Sequence, residues 1–302
     1  TLTDNIVTSN AYYGILLDYA ANTALRNNSM VGNRYSFGVK GEPLNLIQDV
    51  DSSNTVNSKP IYYLINHANE KIPPSAGYVT LIGCYNVTVD SANLRNSDKG
   101  ILLFNTTNSR ITNSTVIGNE GSGVFLQYSS NNDISQNNVA NNTGWCGIHI
   151  YESSYNAILN NTVGSNQGGL CLEHSSSNNL SYNDVTAPGG EGIHLEASSN
   201  NNTLFNNNVA QANGYYGILV SGSNNNTIDE NTVIETSTGI GIYGSSFNAI
   251  TRNSITNSTW LGVDLEGGNN IVAENVVTNS NYCGVEIEGS GNVLSDNVII
   301  NH

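Results

Sequence analysis

Basic residues are scarce in this chain: nine Lys and Arg stand against 24 Asp and Glu, a formal net charge of −15. Nucleic acid and anionic lipid are held by Lys and Arg that displace counterions, so neither is an expected partner. Cations and neutral molecules suit this surface better. The imbalance is also local, because residues 111–302 carry sixteen Asp and Glu and one basic residue, Arg252, whereas residues 1–110 carry eight of each. Apolar runs long enough to span a bilayer are missing, so no segment is expected to insert into a membrane. No signal peptide precedes Thr1, which suits a processed or excised piece of an exported protein. The sequons at Asn86, Asn105 and Asn257 fit export too, although Asn-rich sequence also produces them by chance. Charged residues are only 11% of the chain while Asn abounds, a composition that reads as disorder unless apolar residues are regularly spaced.

They are regularly spaced. From Gly100 a glycine recurs at Gly123, Gly147, Gly169, Gly192, Gly217, Gly239, Gly262 and Gly284, in steps of 22 to 25 residues, with Gly14 and Gly38 read as the same position earlier. An alternating strand follows each one, such as Ile148-His149-Ile150 or Val263-Asp264-Leu265, whose first and third residues face inward. Two further short strands carry the pattern Asn, any residue, aliphatic, at Asn156 and Asn161, Asn202 and Asn207, Asn248 and Asn253. Three strands per repeat predict a single right-handed parallel β-helix of about twelve coils, with stacked Asn at its corners. The repeat lapses between Gly38 and Val79, where four of the five prolines cluster, and an inserted hairpin or loop is expected near residues 43–77. Its expected role is to cover the outward apolar residues Leu16, Leu102, Phe104 and Phe125. Cys84, Cys146, Cys171 and Cys283 fall at different phases of the repeat, so free thiols are expected.

The Asn-x-aliphatic pairs, together with Lys59-Pro60-Ile61-Tyr62-Tyr63-Leu64, Ala76-Gly77-Tyr78-Val79 and Asn86-Val87-Thr88-Val89, resemble NosD-like β-helix proteins. These are related to the carbohydrate-binding and sugar-hydrolase (CASH) β-helices, and the resemblance is nearest to exported surface proteins of methanogenic archaea. It implies a cell-surface location and a polysaccharide partner. Copper handling, linked to NosD, is not carried over to a chain with the single methionine Met30.

Equivalent residues of successive coils stack into columns, and two outward columns gather polar groups. Phe125, His149, Cys171 and His194 form one; Gln127, Tyr151, Glu173 and Glu196 form the other. His149, His194, Glu173 and Glu196 are the catalytic candidates, since two carboxylates about 5 Å apart suit the acid and nucleophile of a retaining glycosidase. His149, Cys171 and His194 are also zinc-competent types. Every adjacent outward pair of a β-helix has that spacing, so a solvated polar face is the competing reading. Asp264, Glu266, Glu286 and Glu288 crowd onto two coils without a basic neighbour, which points to a bound calcium ion or to a solvated acidic edge. Trp145, Tyr215, Trp260 and Tyr282, just before the opening glycines, join Tyr151 and Tyr243 as candidates for stacking on sugar rings, or as corner packing. A polyuronate lyase is disfavoured, because no Lys or Arg on this face meets a substrate carboxylate. The reading is therefore an exported polysaccharide-binding protein with glycosidic hydrolysis open. The alternative is a structural protein that stacks head-to-tail, because Leu2–Val7 and Leu294–Ile299 share one phase and neither end has a cap.

Overall fold

Alternation of period two and polar corners every few residues leave the chain one way to bury its aliphatic residues: wound as a tube. The computed structural model describes residues 1–301. It is an all-β parallel solenoid whose strands form 14-, 11- and 10-stranded sheets with two small ones of three and two strands, and among the described residues the one helix is the 3₁₀ turn Pro43–Leu46. The 14-stranded sheet sets the count at about fourteen turns, not twelve, because the chain before Gly100 supplies more rungs than its irregular repeat suggests. The columns stack as expected: Phe125 pairs with His149, His149 with Cys171, Cys171 with His194, and Gln127 with Tyr151, Glu173 and Glu196 in turn.

The opening glycines are required by space. A Cβ on Gly217 would lie 2.4 Å from Val233 Cγ1 and 2.8 Å from the carbonyl oxygen of Gly239. The same contact recurs with Val163 at Gly147 and Val277 at Gly262, so each glycine lets the third strand of a coil close onto the first.

Two long Asn ladders run along the axis, one from Asn132 to Asn292 and one from Asn137 to Asn297, beside a shorter one through Asn119, Asn142 and Asn166. In the second, Asn207 Oδ1 accepts from the backbone N–H (3.0 Å) and the side-chain amide (2.9 Å) of Asn183. Asn207 Nδ2 donates to the Leu180 carbonyl (2.8 Å) and to Asn231 Oδ1 (2.9 Å). The sharp bend belongs to the residue before each ladder position, such as Asn206 (φ 52) and Asn160 (φ 54), so left-handed backbone and amide stacking are divided between neighbours. Ser129, Ser153, Ser175, Ser199, Ser223 and Ser245 make a parallel hydroxyl ladder.

The first coils depart from the expected register. Tyr13 pairs with Tyr35 and Ile15 with Phe37, which sets Gly14 opposite Ser36 rather than Gly38. The chain then reverses at Asn57 and Ser58, both left-handed (φ 47 and 64), so that Thr55–Val56 runs antiparallel to Lys59–Ile65. The second arm is no excursion, because it pairs in parallel with Tyr78–Ile82 as a rung of the main sheet. Met30, Phe37, Val39, Leu46 and Val56 form a second core against Ile61, Tyr63, Tyr78, Ile82 and Leu102, with Phe104 and Phe125 packed beside them. The apolar stripe is thus covered by the first two coils and the segment after them together, not by the inserted segment alone.

Replacing Asn207 by Ala removes the acceptor of the Asn183 backbone N–H and side-chain amide and the donor to Leu180 and Asn231. An expected loss of about 2–4 kcal/mol in chemical denaturation follows, whereas Asn206→Gly, exposed and left-handed, should change stability by less than about 0.5 kcal/mol. Equal effects would deny the ladder its role.

Candidate functional site

His149 stands where the covered part of the sheet ends. Its ring stacks on Phe125 (centroids 4.8 Å, 14° between planes) and meets the edge of Trp145 (4.9 Å, 89°). Burial lowers its pKa to about 4, so it is neutral at pH 7, and its Nε2, 3.8 Å from Glu173, has no hydrogen-bond partner. His194 is also pushed down by burial, against the opposing pull of Glu196 and Glu191. Its Nε2 lies 3.8 Å from Glu196. Burial, then the charge of Glu196, raises the Glu173 carboxyl, with His174 opposing. A carboxylic acid that keeps its proton longer beside a second carboxylate is the polarity that acid-assisted glycoside cleavage uses. Tyr151 borders the pair, in edge contact with Tyr128 (6.0 Å) and His174 (6.2 Å).

The expectation of four free thiols is corrected: Cys146 and Cys171 are disulfide-bonded across a Cα separation of 6.1 Å, while Cys84 and Cys283 are free. The phases do differ, one cysteine preceding Gly147 and the other following Gly169. Gly168 between them has no Cβ, and one built there would sit 3.3 Å from the Cys146 sulfur and 3.6 Å from that of Cys171, so the bridge crosses the corner diagonally. Cys171 thereby ceases to be a candidate metal ligand, and the bridge tethers Trp145, whose ring spans towards both His149 and His194 (6.1 Å). Among the described residues, no group of three or more His, Cys, Asp and Glu is placed to hold a metal ion.

The four carboxylates of the second patch are not equivalent. Asp264 pairs in register with Glu286 but is 7% exposed, and it accepts the hydroxyl of Tyr243, which in turn accepts that of Tyr216 (2.8 Å). Glu266 and Glu288 are exposed; burial, then Asp264, Glu288 and Glu286, raises the Glu266 carboxyl. Trp145, Tyr215, Trp260 and Tyr282 are all exposed. Trp260 and Tyr282 stack on one another (4.1 Å, 4°), and a cleft of 390 Å³ opens between Tyr215 and Trp260, lined also by Tyr216, Thr238 and Asp264. The sequence thus placed the aromatic corner and both columns, Phe125 beside His149 included, but not the flat stacking of those two rings. It also missed Glu120, which binds Tyr12, Tyr13 and Lys40 and fastens the first coils to the main tube. Partners up to 108 residues apart leave no local signal.

A pH prediction follows from His149. The unfolded chain takes up a proton near pH 6.5, which the folded chain refuses until about 4, so stability present above 6.5 is lost as pH falls through that window, by up to about 3 kcal/mol. His194 adds in the same sense. Thermal melts of the native protein should show this slope and those of His149→Phe a smaller one; an imidazole titrating near 6.5 by NMR would refute the burial effect.

No curated protein matches the chain. Among solved structures, it resembles the periplasmic alginate epimerase AlgG (TM-score 0.65, 14% identity, 98% of this chain and 76% of that one). It also resembles the A-module of mannuronan C-5 epimerase AlgE6 of Azotobacter vinelandii (0.59, 17% identity, 98% and 81%). A third likeness is to the Dettilon tailspike protein gp208 (0.53, 14% identity, 76% and 57%). At such identities the likeness is one of fold. The family described as "Right handed beta helix region" matches residues 77–233 and 203–302, and the chain belongs to it.

Proposed function

We propose that this chain is an exported β-helix protein that holds a polysaccharide along the outer face running from Trp145 to Tyr282. The observation that carries this reading is the exposure of Trp145, Tyr215, Trp260 and Tyr282 along one corner, beside the column Tyr151, Glu173 and Glu196. Flat rings beside hydrogen-bonding carboxylates suit both the apolar and the hydroxyl faces of sugars. Two of the folds it resembles are named for acting on alginate or mannuronan, which supports a carbohydrate partner. Localisation at a cell surface and kinship with NosD-like and CASH proteins belong to the same reading, carried by the Lys59–Leu64 and Asn86–Val89 segments.

If a bond is cleaved, Glu173 is the proton donor, since its pKa is raised, and Glu196 the nucleophile or base; His149 and His194, both neutral, orient them. Calcium is drawn to this acidic edge by the charge of Glu266, Glu286 and Glu288 rather than by a closed ligand set, with Asp264 already engaged by Tyr243. A glycan array probed with and without calcium tests both points. The expected result is retention of a polysaccharide class that Trp145→Ala weakens about tenfold, the worth of one sugar-stacking aromatic. Retention of no glycan would overturn the reading, and release of reducing ends unchanged in Glu173→Gln would remove the hydrolytic part.

One observation favours self-association as a second reading. Leu294 and Ile299 share phase with the fully buried Val272 and Val277, yet are 40% and 39% exposed. In this reading a second copy stacks its own coil on them. Sedimentation at rising concentration should show higher-order species; a strictly monomeric profile excludes the second copy.

A further inference from the structure

The cleft between Tyr215 and Trp260 has a composition unlike that of the Trp145 face. Its walls stand two coils, roughly 10 Å, apart, because the intervening coil places the small Ser237 at the same corner. That gap admits one sugar ring between two aromatic faces. Trp260 is held in place by Tyr282 stacked behind it, so one wall is preorganised, while Tyr215 is 74% exposed.

Hydrogen-bond direction decides what the cleft offers. A carboxylate only accepts, so the Tyr243 proton is committed to Asp264, and the bond between Tyr216 and Tyr243 must be donated by Tyr216. Both phenolic protons therefore point inward, so the Tyr216 oxygen and the Asp264 carboxylate face a ligand as acceptors, while the Ser237 and Thr259 hydroxyls on the walls can donate or accept. The charge around them is of one sign. Asp264, Glu266 and Glu191 all act on Tyr216, while Arg252, the one Arg or Lys after residue 110, is engaged by Asp229 and Glu230. A uronate meets repulsion here, and a neutral sugar leaves the Asp264 charge unanswered.

Resting on the polysaccharide reading above, we infer that the cleft lined by Tyr215, Tyr216, Trp260 and Asp264 binds an amino-sugar unit carrying a free, protonated amine. The ring lies between Tyr215 and Trp260, the ammonium donates to Asp264 and the Tyr216 oxygen, and the aromatic faces add cation–π attraction. The substrate class is thereby a cationic, glucosamine-type polysaccharide rather than an acidic one.

Calorimetric titration of the whole chain tests this with three oligosaccharides of equal length: glucosamine, its N-acetylated counterpart, and a uronate. The free-amine oligomer should bind about tenfold or more tightly than the N-acetylated one and weaken with added salt. Asp264→Asn should remove that preference, and Tyr215→Ala, at an exposed position that does not endanger folding, should weaken binding of the free-amine oligomer. Equal or tighter binding of the N-acetylated or uronate oligomer overturns the inference, as does a preference that survives in Asp264→Asn with its melting temperature unchanged. If glycans are retained in a Trp145-dependent way without amine preference, only this inference falls; if no glycan binds at all, the polysaccharide reading falls with it.

Discussion

The Asn ladders are the constraint on which the other features depend. A parallel β-helix must turn sharply at every corner, and each turn leaves backbone N–H groups inside the wall, away from water. The amide at positions such as Asn183, Asn207 and Asn231 answers this by accepting the N–H of one coil and donating to a carbonyl of another. Because each amide bonds its equivalent 22 to 24 residues on, coils cannot slip relative to each other without breaking the whole ladder. Fixed register turns a repeat in one dimension into columns in space, and the columns make His149, Glu173 and Glu196 neighbours.

The largest sheet has two characters along its length. From Lys59–Ile65 to Val124–Gln127 both faces are apolar: Val79, Leu81, Ile101 and Leu103 serve the tube, while Tyr78, Ile82, Leu102 and Phe104 serve the second core. Beyond Phe125 the outward face is free, and His149 occupies the boundary, one side of its ring against Phe125 and the other towards Trp145 and the carboxylates. Its depressed pKa is a consequence of that place, since burial is its cause and the nearby Glu173 does not reverse it. The Cys146–Cys171 bridge reinforces the same boundary by pinning the loop that carries Trp145.

The acidic half of the chain is not one uniform surface. Near Glu173 the carboxylates are partly shielded and lie beside neutral imidazoles, an arrangement suited to proton handling. Near Asp264 a relay runs from the Tyr216 hydroxyl through that of Tyr243 to one buried carboxylate, and an open aromatic cleft lies in front of it. Three coils and more separate the two, so an extended polymer lying along the axis meets both, whereas a single sugar meets one.

Much of this was legible in the residues themselves. The spacing from Gly100 to Gly284 determined the coil, and the alternation after each glycine determined which residues face out, because period two allows no other assignment once one face is buried. Sequence alone also placed the exposed aromatics at one corner. What it did not determine are contacts between residues at different phases or in distant coils. The reversal at Asn57 and Ser58, the second core, the Glu120 cluster and the diagonal disulfide all arise where the chain departs from its repeat. Asp264 and Glu266 are two residues apart in one alternating strand, yet only the tertiary structure buries the first beneath Tyr243 and leaves the second in water. A repeat specifies what recurs; burial, pairing and pKa at a given coil depend on what happens to pack there.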